Sequence, residues 1–223
     1  GTIWKEPLKV RMRTMVKSLV HKLIVEDSTQ CFTDMPDYMI IMTKRGDNEV
    51  PVTHPEGLKR YFGATPILPN ILQAWNNANE TKFTEDELWA YLKANFHDHE
   101  DPKSNKLSHH IWQRYASSVW DDIRIDNVLP FRDSKEEDDE KHVHPLQLDV
   151  IDRIVELYSN PGEVVFTPFM GVGSEVFSPV SLGRKAIGAE LKDSYFKQAR
   201  INLEHAKTRF ADEVGMVSQD ALF

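Results

Sequence analysis

The chain has 223 residues, 40% hydrophobic and 28% charged, with a formal net charge of −8 and a sequence pI of about 5.6. That length holds one sizeable core or one and a half smaller ones, and the acidic balance excludes a general coat of basic residues while leaving room for a local basic face. The single cysteine, Cys31, excludes an intrachain disulfide and a cysteine-rich zinc site and fits a reducing cytoplasm; no apolar run is long enough to span a membrane, and Gly1-Thr2-Ile3-Trp4-Lys5 is not a signal peptide.

Residues 1 to 25 are locally basic, with Lys5, Lys9, Arg11, Arg13, Lys17 and Lys22 against one acid, Glu6. They read either as a phosphate-contacting segment or as a solvated helix face. Trp4 reads as the end of a strand that begins earlier. Tyr38-Met39-Ile40-Ile41-Met42-Thr43 reads as a buried strand, and Arg45-Gly46-Asp47-Asn48 as the turn after it. Residues 51 to 118 are different material, interrupted by Pro51, Pro55, Pro66 and Pro69 and poor in strand pattern. Inside them Thr84 and Glu87 form the N-cap and third position of a capping box. Leu88, Tyr91 and Leu92 give that helix its apolar face. The histidines around Phe96 to Asp101 and at His109-His110 lack a defensible metal-ligand spacing, so no metal is expected. Trp112, Arg114, Tyr115 and Trp120 either stack on bases or pack this segment onto the core.

The acidic run Glu136 to Glu140 reads as a solvated loop that phosphates would repel. His142-Val143-His144-Pro145 then leads into an amphipathic helix. Its apolar face is Leu148, Ile151, Val155 and Tyr158, with Asp149, Asp152, Arg153 and Glu156 opposite, and Asn160-Pro161-Gly162 stops it. A strand-like run, Val164-Val165-Phe166-Thr167, breaks at Pro168 and runs through Phe169-Met170-Gly171-Val172-Gly173 into a helix from Ser174. A second strand-like run, Lys185 to Leu191, ends on Glu190. Strand, Gly-rich turn, helix, and strand ending in an acid is the layout of a nucleotide-type cofactor site. Its glycines let backbone approach a ligand, the helix start offers unpaired N–H groups, and Glu190 can accept from ribose hydroxyls. From Asp193 a further helix carries the stripe Phe196, Ala199, Leu203, Ala206 and Phe210, with Asp193 or Ser194 as its cap. Met216-Val217 reads as a last short strand, and Asp220 as a residue facing adenine.

Pro168-Phe169-Met170-Gly171-Val172-Gly173-Ser174, then Gly183-Arg184-Lys185-Ala186-Ile187-Gly188-Ala189-Glu190, then Tyr195, closely resembles the S-adenosylmethionine site of DNA amino-methyltransferases, which methylate adenine N6 or cytosine N4. The family pattern is Asp-Pro-Phe-x-Gly-x-Gly-Ser/Thr, then Gly-Arg-x-x-Ile-Gly-x-Glu, then Tyr. Trp4-Lys5-Glu6-Pro7, Arg13-Thr14, Asp27-Ser28, Pro36-Asp37-Tyr38 and Lys44-x-Gly46-x-Asn48 are similar to the middle of its phage-type members. The resemblance implies a three-layer α/β Rossmann-like methyltransferase fold: residues 1–50 in the sheet, 51–118 as a target-recognition insert, and 119–223 as the cofactor-binding part. It implies S-adenosylmethionine held by His142, His144, Pro145, Thr167, Pro168, Phe169, Gly171, Gly173, Ser174 and Glu190. Double-stranded DNA would be met by Lys9, Arg11, Arg13, Lys17, Trp112, Arg114 and Tyr115. Restriction-modification and a cytoplasmic setting go with that family.

The family also holds its extruded target base with Asp/Asn/Ser-Pro-Pro-Tyr/Phe. All 12 prolines here are isolated. In the permuted class that motif precedes the cofactor motif and would lie before Trp4, so the expectation is the later part of such an enzyme, or one subunit of a split one. A non-catalytic DNA-binding or regulatory relative is the alternative. A dinucleotide-dependent oxidoreductase fits less well, because Val176 stands where Gly-x-Gly-x-x-Gly needs its third glycine. Two departures from the family pattern remain. Thr167 replaces the opening Asp with a weaker, uncharged acceptor. Pro179 deletes one helical hydrogen bond and should kink or shorten its helix.

Overall fold

A computed structural model describes residues 1–3, 5, 25–27, 29, 37–47, 49–64, 69–95, 105–134 and 144–209. The chain divides into two compact units, Gly1–Ile125 and Asp126–Phe223. The whole is α/β, with a mixed sheet and flanking helices.

The first unit is built on a three-stranded sheet. β1 (Thr2–Ile3) lies between β2 (Asp37–Tyr38), antiparallel to it, and β3 (Val119–Trp120), parallel to it. The expected strand over 38–43 is thus two residues long. Ile40, Ile41 and Met42 are exposed and outside any ladder, so their apolar run is not a buried strand. Nor does β2 pair with the strands around the Gly-rich turn, which form a separate sheet.

Three helices follow: α1 (Pro69–Asn79), α2 (Glu85–Asn95) and α3 (Lys106–Tyr115). The capping box before α2 is formed. The Thr84 N–H donates to Glu87 Oε2 at 2.7 Å and the Glu87 N–H to Thr84 Oγ1 at 3.3 Å. The Thr84 N–H and the Thr84 hydroxyl, both donating to Glu87 Oε2, hold the Glu87 carboxyl below its usual range. Tyr91 closes the α1–α2 hairpin, its ring 5.6 Å from those of Trp75 and Phe83. Asn105 caps α3, accepting from the Ser108 N–H at 3.0 Å. Leu107, Ile111 and Tyr115 recur on one face of α3 and are buried, as is Leu88 of α2.

The second unit carries the Gly-rich turn. α4 (Leu148–Tyr158) precedes β4 (Val164–Thr167); α5 (Ser174–Ser181) separates it from β5 (Lys185–Gly188), and α6 (Asp193–Glu204) follows. β4 and β5 are adjacent and parallel, pairing Val164 with Lys185 and Thr167 with Gly188. A parallel pair with an intervening helix is the βαβ unit its apolar runs anticipate. Met170, Val176 and Ala199 pack together with Ala186 on one face of the pair. Val164, Phe166 and Ile187, on the other face, are 57%, 64% and 58% exposed, so the second unit's own helices form two layers with the strands rather than three.

α4 departs from a simple amphipathic helix. Leu148, Ile151 and Val155 are buried as expected, but so are Asp149, Asp152 and Arg153 from the polar face. Asn127 Nδ2 donates to Asp149 Oδ1 at 2.6 Å, and Arg209 forks onto Asp152 at 2.9 and 2.6 Å. Arg209 also lies 5.4 Å from the centre of the Phe177 ring, in α5. Tyr158 is half exposed. The helix stops where expected, with Gly162 at φ 82° in the following turn.

α5 is short at eight residues and contains Pro179, as the helix-shortening expectation requires. The Leu182 N–H reaches Ser178 and Pro179 carbonyls at 3.0 and 3.1 Å, closing its C-terminus. α6 follows the expected stripe at Ala199, which is buried, and at Leu203, which packs on the core, and Ala206 just beyond the helix is buried as well. Phe196 departs from it and is exposed, and Asn202 is buried beside the stripe. Neither Asp193 nor Ser194 caps α6; Lys192 occupies the N-cap position, and its side chain does not bond the helix's N–H groups.

Candidate cofactor cleft

The turn after β4 is held from three sides. From within, the Thr167 hydroxyl accepts the Phe169 N–H at 3.2 Å, so the uncharged side chain still closes the turn where the family's acid stands. Across the sheet, the Ala189 N–H donates to the Thr167 carbonyl at 3.1 Å and the Met170 N–H to the Ala189 carbonyl at 2.9 Å. Glu190 then accepts the Gly171 N–H on Oε2 at 2.8 Å and the Lys192 N–H on Oε1 at 2.9 Å. The third hold is Asn202 of α6, whose Nδ2 donates to the Val172 carbonyl at 2.9 Å and the Pro130 carbonyl at 3.1 Å.

The two glycines do different work. Gly171 has φ 53°, and a Cβ there would meet nothing within 4 Å, so its side faces open space. Gly173, the N-cap of α5, has φ 100°, and a Cβ would stand 3.0 Å from Ala199 Cβ and 3.1 Å from Ala199 Cα. Gly173 is required by the approach of α6 as well as by its left-handed backbone.

A cleft of about 160 Å³ opens over this turn. Its walls are Phe131, His144, Pro145 and Leu146 from the segments before α4, Phe169 to Val172 from the turn, Ser174 and Glu175 from α5, and Tyr195 from α6. The Leu148 N–H donates to the Asn127 carbonyl at 2.8 Å, tying these pre-helix segments together. Phe131 stands edge-on to His144, their centroids 5.3 Å apart, and Lys192 Nζ lies 4.6 Å from the centre of the Tyr195 ring.

Two polar groups stand out in the cleft wall. Ser174 Oγ is buried and makes no hydrogen bond within the described residues, and such a hydroxyl ordinarily has a partner. Burial raises the Glu175 carboxyl above its usual range, opposed by its own backbone N–H.

Of the expected cofactor residues, His144, Pro145, Phe169, Gly171 and Ser174 line the cleft. Thr167, Pro168, Gly173 and Glu190 belong to the turn and its supports and do not line it. His142 lies outside the described residues, as do Phe210, Met216, Val217 and Asp220. Phe131, Leu146 and Glu175 carry no motif that sequence reasoning could have used; Tyr195 was signalled by its place after the second strand.

The residues expected to meet DNA separate. Lys9, Arg11, Arg13 and Lys17 lie outside the described residues. Trp112 is 53% exposed. Tyr115 is buried, its hydroxyl accepting the Phe62 N–H at 2.9 Å and donating to the Arg60 carbonyl at 3.1 Å, so its ring is unavailable for stacking on bases. Arg114 bridges Asp121 and Asp122 at 3.3 and 3.2 Å and bonds the Tyr61 hydroxyl, so its charge is largely met within the unit. Trp120 is buried with its Nε1 donating to the Tyr115 carbonyl at 3.1 Å. Among the described residues no helix is long and apolar enough to cross a membrane.

Residues 3–200 match the sequence profile of a DNA methylase family of the N6/N4 type. The DNA adenine methyltransferase YhdJ of Escherichia coli K12 is 29% identical over 121 residues, 53% of this chain and 38% of that protein. The type II methyltransferase M1.MboII of Moraxella bovis is 37% identical over 62 residues, 28% of this chain and 24% of its own. The type II methyltransferase M.BglII of Bacillus subtilis is 29% identical over 119 residues, 52% of this chain and 31% of its own. The matched stretches thus span well under half of these relatives. The crystal structure of M1.HpyAVI shares 30% identity over 31% of this chain and 39% of its own, at a TM-score of 0.25, which carries no argument about the fold.

Proposed function

The chain belongs to the DNA methylase family whose profile it matches over residues 3–200, and from that membership we propose that it is the cofactor-binding and target-recognition part of a DNA amino-methyltransferase. S-adenosylmethionine, the methyl donor expected of this family, would occupy the cleft of the second unit. The observation that carries this reading is the buried Ser174 hydroxyl, which has no hydrogen-bond partner among the described residues, in the wall of a cleft floored by the Gly-rich turn. Phe131, Pro145, Leu146 and Phe169 offer apolar surface to the nucleoside. Glu190 accepts two backbone N–H groups, and a carboxylate retains further lone pairs for ribose hydroxyls. When bound, S-adenosylmethionine supplies an electrophilic methyl group; the residues named bind it, orient it and keep the turn in shape.

Adenine N6 is the preferred target, in keeping with the name of the YhdJ relative, and cytosine N4 the alternative. The amine is a poor nucleophile because its lone pair is conjugated into the base ring, so it has to be held and aligned. No Pro-Pro pair occurs in the 223 residues. We therefore assign the amine-holding motif to a part of the enzyme outside this sequence, either ahead of the cofactor motif as in the permuted, phage-type order or on a second subunit. Double-stranded DNA would be met by Lys9, Arg11, Arg13 and Lys17 and by the exposed Trp112 of the 51–118 insert, and that binding should fall steeply with salt.

Two measurements test the proposal. Calorimetry should detect binding of S-adenosylhomocysteine, weakened by Glu190→Ala; unchanged affinity in that variant would remove the ribose role. Tritium transfer from labelled cofactor to unmodified DNA should be absent with this chain alone. Transfer beyond one equivalent would show that a complete catalytic clamp lies within it.

A further inference from the structure

The opening acid of the family pattern is Thr167 here, and Glu190, which does not line the cleft, has both oxygens engaged by the backbone N–H groups of Gly171 and Lys192. Among the residues lining the cleft, Glu175 is the one carboxylate. It lies in the first turn of α5, where the helix end favours negative charge. It is half-buried, and among the described residues no Lys, Arg or His is paired with it. A partly desolvated carboxylate without a cationic partner is costly unless a ligand provides one.

Resting on the cofactor reading above, we propose that Glu175 is the residue by which the cleft distinguishes the methyl donor from its demethylated product. In S-adenosylmethionine the sulfur is a sulfonium and carries a positive charge. When the methyl leaves, the electron pair of the broken C–S bond stays on sulfur, and the methyl bonds to the acceptor nitrogen, which gives up a proton. The remaining thioether is neutral. An anionic cleft wall therefore attracts the donor more than the product and loosens its hold once the reaction is over. The other side chains of this cleft that titrate are His144, ahead of α4, and Tyr195 on α6, with Lys192 lying over the Tyr195 ring. None of these offers a second negative charge near neutral pH.

The test compares wild type with Glu175→Gln, which keeps shape and removes charge. Dissociation constants for S-adenosylmethionine and S-adenosylhomocysteine are measured by calorimetry, with circular dichroism as the check on folding. Removing the charge should weaken the donor selectively, shifting the donor-to-product affinity ratio by about fivefold, the scale of a partly screened charge pair. In wild type, raising the ionic strength should weaken the donor more than the product. Donor binding at mildly acidic pH should also release protons, detected by repeating the titration in buffers of different ionisation enthalpy. Equal weakening of both ligands in Glu175→Gln, or no change in either, overturns the proposal. Should that variant fail to fold, equal salt sensitivity of donor and product in wild type overturns it alone. Wild type binding neither ligand would instead sink the underlying cofactor reading, and this proposal with it.

Discussion

Replacing Arg209 with methionine tests whether the second unit depends on a buried ion pair at the back of α4. Asp152 is fully buried, and Arg209 reaches both its oxygens at 2.9 and 2.6 Å. Burial is the largest influence on the Asp152 carboxyl and raises it; Asp149 adds to the rise and Arg209 opposes it. Taking Arg209 away strands a buried carboxylate, which costs about 3–5 kcal/mol. The lost stacking over Phe177 adds roughly 0.5–1 kcal/mol. Against a typical total of about 5–15 kcal/mol, this is a large fraction. A carboxyl whose folded pKa is raised is best tolerated below its unfolded pKa, and the associated stability is lost as pH rises through the folded value. Removing Arg209 raises that folded pKa further. The deficit of Arg209→Met should therefore be smallest in acid and grow as pH rises through this range. Asp152→Asn in the same background should recover much of the loss. The assay is urea denaturation followed by circular dichroism at several pH values, because all five tryptophans lie before residue 126 and report on the first unit. A deficit under about 1 kcal/mol near neutral pH, or one that does not shrink in acid, would refute the reasoning.

Gly173→Ala should destabilise the second unit by about 3 kcal/mol, combining left-handed backbone strain with the close approach of Ala199. Adding Ala199→Gly should return only the packing part, read from the same denaturation curves. Asn202→Ala leaves the Pro130 and Val172 carbonyls without their amide donor and should cost about 1–3 kcal/mol. It should also weaken S-adenosylhomocysteine binding, because Val172 lines the cleft; calorimetry checks this. Thr167→Val removes the acceptor for the Phe169 N–H and should weaken the same binding, while Thr167→Asp, which keeps an acceptor, should bind at least as well as wild type. Equal affinities in the two Thr167 variants would count against a role for that bond in shaping the turn.

The βαβ unit was legible because its signals are local. Apolar runs of strand length, a proline, two glycines and an acid all fall within 27 consecutive residues, 164 to 190. The capping box before α2 was legible for the same reason. What was not legible depended on distant chain. Asp149, Asp152 and Arg153 look like a solvated helix face until Asn127 and Arg209 are brought to that side of α4. In α6 the stripe holds at Ala199, Leu203 and Ala206, but nothing local says that Phe196 will be exposed or that the amide of Asn202 will be buried against two carbonyls. The run from Ile40 to Met42 has strand composition, yet among the described residues no strand pairs with it. Phe131 and Glu175 enter the cleft only through the path of the backbone, and a sequence without that path gives them no role.

The supports of the Gly-rich turn have a consequence for anyone wishing to graft it. The stretch from Thr167 to Ser174 looks like a portable cassette, since its letters are contiguous. Its shape is not encoded contiguously: the Gly171 N–H is held by Glu190, and the Val172 carbonyl by Asn202. Gly173 fits only against the small Ala199. Transplanted into another scaffold as eight residues, the loop would arrive without any of these restraints and sample many conformations. The smallest piece that carries its own geometry runs from the start of β4 to the end of α6, and it needs the carbonyl of Pro130, or a substitute for it, as the second acceptor for the Asn202 amide.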